Sequence, residues 1–220
     1  MVSIAVVLTW GYLSSSQLPI WLNGETLWRY SSEITPGLPM PYANLGVALE
    51  GKGDHDGALE MYGKAIAIQP RYADALYNMG ITYETKQMLD SAASLYARAI
   101  AVDRTYSDAY INLGNIMVRA GRYDDGIRLY EQATSLDPSD PDSYYDMGIA
   151  VYHKGDKKKA LECFQAAVKF SPGYANAYNN MGVVFADLGN DEAALASFVR
   201  AARLGSQDAQ KVLRSKGYSW

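Results

Sequence analysis

Ser143-Tyr144-Tyr145-Asp146-Met147-Gly148-Ile149-Ala150-Val151 and, 34 residues further on, Ala177-Tyr178-Asn179-Asn180-Met181-Gly182-Val183-Val184-Phe185 are two copies of one pattern. Stepping backwards at the same interval brings Gly114, Gly80 and Gly46 into register with Gly148 and Gly182. Four residues before each glycine stand Tyr42, Leu76, Tyr110, Tyr144 and Tyr178; one before, Leu45, Met79, Leu113, Met147 and Met181; three after, Leu49, Tyr83, Met117, Val151 and Phe185. These offsets are those of one apolar stripe on a helix. The glycine lies on that stripe, where it costs about 1 kcal/mol against alanine. The same cost repeated in every copy needs a common reason, and the simplest is an element crossing so closely that no Cβ fits. Self-similarity at such a period is the sequence signature of a stacked helical array and argues against a single catalytic pocket.

A second helix follows in each copy. Seven residues past the glycine come Gly53, Gln87, Gly121, Gly155 and Gly189, four of them suited to ending a helix. Beyond lie small residues (Ala58, Ala92, Gly126, Ala160 and Ala194), then rings (Tyr62, Tyr96, Tyr130, Phe164 and Phe198), then Ala65, Ala99, Ala133, Ala167 and Ala201. Small residues permit close helix approach and the rings fill the groove beside them. Pro70, Pro138 and Pro172, with Arg104 and Ser206 at the matching places, open the next copy, since proline cannot continue a helix.

This set of residues resembles the tetratricopeptide repeat, two antiparallel helices in 34 residues. The resemblance covers residues 39–206 as five contiguous repeats without insertion, and Gln87, Arg104 and Ser206 are its departures. It implies an all-α, right-handed superhelical solenoid of five tetratricopeptide repeats. Trp28, Ser31, Ile34 and Pro36 match Tyr62, Ala65, Ile68 and Pro70, so residues 22–38 read as an N-terminal half repeat and linker. Residues 207–220 read as a C-terminal capping helix, with Ala209, Val212 and Leu213 on one side of Asp208–Ser215.

The chain of 220 residues is 49% hydrophobic and 20% charged, the balance of an ordinary folded protein and here of one elongated domain. A net charge of −4 leaves no general footprint for nucleic acid. The lone Cys163 excludes an internal disulfide and, beside the core position Phe164, reads as packing.

Residues 1–21 form a hydrophobic N-terminal segment. It has no charged side chain, is apolar from Val2 to Leu13, and falls short of the ~20 apolar residues of a full span. It lacks the positive start of a secretory signal, while Trp10, Tyr12 and Trp21 suit a membrane surface. The run Leu8-Thr9-Trp10, Trp21, Glu25-Thr26-Leu27-Trp28-Arg29-Tyr30 and Thr35-Pro36 resembles the junction between the last span and the repeats of protein O-mannosyltransferase-like membrane glycosyltransferases. That resemblance implies membrane association through residues 1–21 and a periplasmic or lumenal location. Without it the segment reads as an isolated helix packed on the first repeat of a cytoplasmic protein, and the sequence leaves both open.

No constellation for catalysis, a metal or a cofactor stands out. His55, in Gly53-Asp54-His55-Asp56, lies in an interhelical turn whose equivalents are Leu89, Tyr123, Lys157 and Asp191, so it reads as solvated. Gly51-Lys52-Gly53-Asp54-His55-Asp56-Gly57 imitates a phosphate loop but follows no strand. Lys157-Lys158-Lys159 reads as a solvated face, and the aspartates of 137–142 as helix caps. His153 reads as a buried or groove residue.

The first helix of each repeat carries a second face. Two residues before the glycine come Asn44, Asn78, Asn112, Asp146 and Asn180. Asparagine is a mediocre helix former, so its recurrence means either a structural hydrogen bond to the next repeat or an amide ladder for a ligand. An amide offers donor and acceptor together and can pair with an extended backbone of any sequence. The repeat domain of O-GlcNAc transferase holds peptides with a similar ladder, a resemblance that carries the role to Asn44, Asn78, Asn112 and Asn180; Asp146 interrupts it. Asp74, Asp108, Tyr77, Tyr145, Tyr152 and the single cation Arg119 complete the expected peptide-binding groove. Repeats that clamp an acidic tail use lysine and arginine in such places, so a neutral or basic segment fits better here.

The reading is a non-enzymatic scaffold for an extended peptide or partner protein, without cofactor, metal or nucleic acid. Two alternatives stay open: an acceptor-presenting tail of a membrane glycosyltransferase, and a homo-oligomer in which residues 1–21 of one copy lie against another.

Overall fold

The computed structural model describes residues 23–220. The expectations for residues 1–21 and for Leu22 lie outside the described residues. Among the described residues there are twelve helices and no strand: α1 (Gly24–Ile34), α2 (Pro39–Glu50), α3 (His55–Ile68), α4 (Ala73–Thr85), α5 (Leu89–Val102), α6 (Ser107–Arg119), α7 (Tyr123–Leu136), α8 (Pro141–His153), α9 (Lys157–Phe170), α10 (Ala175–Asp187), α11 (Asp191–Arg203) and α12 (Gln207–Ser215). From α2 to α11 they pair into five hairpins at the predicted interval. No helix among the described residues is long and apolar enough to cross a membrane.

Each hairpin is notched in the same way. A Cβ built on Gly46 would lie 2.6 Å from Cε1 of Tyr62, on Gly80 2.7 Å from Tyr96, on Gly114 2.7 Å from Tyr130, on Gly148 2.6 Å from Phe164 and on Gly182 2.8 Å from Phe198. The close approach inferred from the sequence is thus that of an aromatic ring from the second helix, occupying the place where a side chain would stand. Tyr62, Tyr96, Tyr130 and Phe164 are at most 1% exposed. The polar tips of two of these rings find partners: Tyr96 donates to Glu84 Oε2 at 3.0 Å and Tyr130 to Asn115 Oδ1 at 2.5 Å.

The turns are equally uniform. Gly53, Gln87, Gly121, Gly155 and Gly189 all have positive φ, from +60° at Gln87 to +89° at Gly155. The next amide in each turn closes a long bond to the first helix, as in Asp54 N–H to Leu49 O at 3.0 Å and Met88 N–H to Tyr83 O at 2.8 Å. That bond is the Schellman closure, so Gln87 keeps the turn and bears a backbone strain the glycines avoid. His55 departs from expectation. It is the first residue of α3, half-buried, and its Nδ1 lies 2.9 Å from Glu50 Oε1. Asp54 takes the turn and caps α3 by accepting from Gly57 N–H.

Prolines stand two residues beyond the last residue of the second helices they follow. Gln69, Asp137 and Ser171, each preceding a proline, have φ near −130° and ψ near +90°, the extended region that proline imposes on its predecessor. Asp103, followed by Arg104, takes the same conformation. Asparagine, aspartate or serine caps six of the described helices with its side chain; on α8, Asp140 accepts from Ser143 N–H at 2.9 Å and from the fully buried Ser143 hydroxyl at 2.5 Å.

Contacts group the described residues into two compact units, one ending at Arg104 and one beginning at Thr105. In the first, Leu45, Leu49, Ala58, Met61 and Tyr62 form a core that Trp28 of α1 and Met79 of α4 complete. Ala43, Ala65 and Ala75 make the alanine contact by which one hairpin meets the next. Glu50 joins three helices there, since its Oε2 accepts from the buried Thr82 hydroxyl at 2.9 Å while Oε1 faces His55. In the second unit, Ile127, Tyr130, Met147, Val151, Cys163, Phe164, Met181 and Val184 form a continuous core. The amphipathic α12 closes it by laying Ala209 and Leu213 against Ala201, Ala202 and Phe198. Cys163 is buried among these side chains, which push its thiol up to about 11, so it is packing rather than nucleophile at neutral pH.

Candidate functional site: the faces of the first helices

In every hairpin the second helix spends its apolar face on the glycine notch. The first helix keeps another face, spaced i, i+4, i+7, i+11 along its axis. In the first unit this face carries Asn44 on α2, then Asp74, Tyr77 and Asn78 on α4. Asp74 is exposed and the two asparagines are half-buried. Neither amide forms a side-chain hydrogen bond among the described residues. Tyr77 rests its ring 5.6 Å from that of Tyr96.

In the second unit the face carries Asp108, Asn112 and Arg119 on α6, Tyr145, Asp146 and Tyr152 on α8, and Asn180 on α10. Asp108 and Arg119 are exposed at its two ends. Asn180 Nδ2 donates to Tyr145 Oη at 3.3 Å, so this rung also ties one repeat to the preceding one. The ring of Tyr145 packs 4.9 Å from Tyr174 and 5.8 Å from Phe164. The Tyr152 hydroxyl donates to Asp187 Oδ2 at 2.7 Å.

The structure brings Tyr152 and Asn180 together at a cavity of about 210 Å³ between α8 and α10. Ile149 and His153 from α8 and Val183 and Val184 from α10 complete its walls, and Phe164 forms its floor. The His153 ring is held by a stack on Tyr123, 5.4 Å away and 12° from parallel. A second, shallower hollow at the other end of the same helix pair is lined by Asp142, Tyr174 and Asn176. The Tyr174 hydroxyl donates to Asp142 Oδ1 at 2.6 Å, which raises the pKa of the phenol further above a value already elevated by burial.

Asp146, the residue that interrupts the asparagine series, lies between these two hollows. Burial and the neighbouring Asp142 carboxylate push its pKa up to about 6 from 3.8, while a hydrogen bond from Asn115 pulls it down. Asn115 is itself held by the Tyr130 hydroxyl. Nothing in the local sequence of α8 announces this partner, which comes from α6 one repeat earlier. Among the described residues there is no group of three His, Cys, Asp or Glu side chains that could hold a metal ion.

Family profiles described as tetratricopeptide repeat match residues 111–175, 159–209 and 75–110, and one described as TPR repeat matches 51–87. No curated protein matches the chain. Among solved structures, YrrB, described as a TPR protein with an unusual peptide-binding site, is 24% identical with a TM-score of 0.74, over 86% of this chain and 97% of that one. MamA is 25% identical with a TM-score of 0.70, over 76% and 97%. A MamA spanning residue 41 to the end from Desulfovibrio magneticus RS-1 is 20% identical with a TM-score of 0.71, over 77% and 97%. These likenesses concern the fold, and the fold is all-α. With profile matches running from residue 51 to residue 209 over the hairpins just described, the chain belongs to the tetratricopeptide-repeat family.

Proposed function

We propose that this chain is a non-enzymatic scaffold that binds an extended, neutral or basic protein segment on the first-helix faces of its repeats. Repeats of this family are protein-binding modules, and their second helices are committed to the hairpin cores. The observation that carries the peptide reading is the cavity between α8 and α10. Its walls come from the first helices of two successive repeats, and they join apolar surface to the amide of Asn180. A site of this size, below that of a drug-like pocket, accommodates one side chain. The amides along the faces then serve the backbone of the same segment. Helices already packed in place take little ordering cost on binding.

The test is selection of displayed random peptides on the full chain, followed by affinity measurement against the Asn78→Ala and Asn112→Ala double variant, which changes one rung in each unit. Binding should weaken by roughly tenfold, equivalent to about 1.4 kcal/mol, with helicity by circular dichroism intact. Failure to select any peptide refutes the reading. Unchanged affinity with lost helicity makes these asparagines structural.

A further inference from the structure

The furrow between α8 and α10 has a polarity that the bare peptide-binding reading does not require. Asp142, Asp146, Ile149 and His153 follow one another along α8 at helical spacing. The carboxylates stand toward its N-terminal end and the cavity toward its C-terminal end. The carboxylates differ in how they are satisfied. Asp187, beyond the cavity on α10, receives the Tyr152 hydroxyl and faces Lys157 Nζ at 3.6 Å. Asp142 receives the Tyr174 hydroxyl. Asp146 is half-buried and accepts a hydrogen bond from Asn115 of α6, but no lysine or arginine pairs with it among the described residues. The charges acting on it, Asp142 and Asp140, share its sign. A carboxylate withdrawn from water without a counter-charge is unfavourable, and here it stands where all four other repeats in the series carry neutral asparagine. What Asp146 lacks, among the described residues, is a cation.

We propose that the α8–α10 furrow recognises an extended protein segment that carries a lysine or arginine two residues from a leucine-, methionine- or phenylalanine-sized side chain. The apolar side chain enters the cavity against Ile149, Val183 and Phe164. The cation donates to Asp146, with Asp142 as the second acceptor. The spacing follows from helix and strand geometry. Asp146 and Ile149 are separated by about 4.5 Å of rise along α8. Residues i and i+2 of an extended segment share a side and are about 6.6 Å apart, a mismatch that a flexible lysine or arginine stem absorbs. This assignment rests on the peptide-binding reading above and adds to it the chemistry of the bound segment.

The experiment is selection from a displayed random-peptide library on the full chain and, in parallel, on Asp146→Lys, with fluorescence anisotropy of the selected peptides on both and on Asp146→Asn and Val183→Phe. The wild-type chain should enrich a basic residue two positions from a large apolar one. Its best peptide should bind about tenfold more weakly to Asp146→Asn and to Val183→Phe, whose ring fills the cavity. Selection on Asp146→Lys should turn to acidic residues at the same spacing. Peptides that bind but carry no basic residue, or that bind Asp146→Asn and Val183→Phe as tightly as wild type, overturn the furrow while leaving peptide binding elsewhere on the repeats intact. Failure to enrich any peptide on the wild-type chain removes the broader reading and this one with it. Thermal melts of each variant separate a lost contact from a lost fold, and the isosteric Asp146→Asn keeps the proposal testable if Asp146→Lys does not fold.

Discussion

Two glycines of the first hairpin, one on each helix, should respond in opposite directions to the same substitution. Gly46 lies on α2 and Gly63 on α3, both inside helices, so intrinsic helix propensity alone assigns Gly→Ala a gain of about 1 kcal/mol at either place. Their surroundings differ. A Cβ on Gly46 would meet three atoms of the Tyr62 ring, at 2.6, 2.8 and 2.9 Å, and that ring is 1% exposed. A Cβ on Gly63 would meet nothing within 4 Å. The buried ring cannot yield as the end of a lysine would, because Leu45, Leu49, Ala58 and Met61 enclose it. Overpacking of this kind costs about 1–3 kcal/mol, and the contact with a fully buried ring places it in the upper half of that range. Net of propensity, Gly46→Ala should destabilise by about 1–2 kcal/mol, while Gly63→Ala should stabilise by about 0.5–1 kcal/mol. Urea unfolding followed by circular dichroism measures both. The slope must be compared among variants, because repeat arrays can depart from two-state behaviour. Gly46→Ala together with Tyr62→Leu should show a smaller cost for the alanine than Gly46→Ala alone. If Gly46→Ala and Gly63→Ala stabilise equally, or the alanine costs as much without the ring as with it, the account of the repeated glycine is wrong.

Three further outcomes are open to measurement. Gln87→Gly should raise stability by about 0.5–1 kcal/mol in urea titrations, since it relieves a positive φ at the cost of a looser unfolded chain; a loss would show that Gln87 contributes more through its side chain than its backbone costs. Asp140→Ala should lower stability by about 1–2 kcal/mol, because α8 loses its cap and the buried Ser143 hydroxyl loses its acceptor. Asp146→Asn should be stabilising at pH 8 and neutral near pH 3.5. With a folded pKa of about 6 against 3.8, the native state binds more protons in that window, so stability falls as pH rises through it and the ionised form is a cost above it. The shift of roughly two units corresponds to at most about 3 kcal/mol, and partial solvation reduces the expected gain to about 1–2 kcal/mol; melts across pH 3.5–8 that show a constant difference would refute the assignment.

The hairpin cores were readable from the sequence because their constraints are local and recur. A glycine, a ring 16 residues later and a turn residue between them fix both helix faces at once. The half-repeat reading of residues 22–38 rests on matches such as Trp28 to Tyr62, and α1 places Trp28 against the first core. Single departures matter little: Gln87 keeps the positive φ of the glycines it replaces, and Asp103, before Arg104, keeps the extended conformation found before the prolines. The candidate site was less readable, because its contacts cross between repeats and depend on stagger rather than spacing. The series of asparagines does not disclose that Asn180 reaches Tyr145, that Asn115 reaches Asp146, or that Tyr174 reaches Asp142. His55 departs from a solvated turn for the same reason: its partner Glu50 is set by the fold of the turn, not by the pattern around the histidine.

The glycine and its ring always belong to the same hairpin, Gly46 with Tyr62 and Gly148 with Phe164. No hairpin borrows the ring of another to fill its own notch. Unequal crossing-over between matching points of two copies of the coding sequence therefore adds or removes whole hairpins and never leaves a ring without its recess. Lineages can lengthen or shorten such a chain in steps of 34 codons while the residues on the first-helix faces drift toward new ligands. Heritable changes in length and in specificity thereby become separate events.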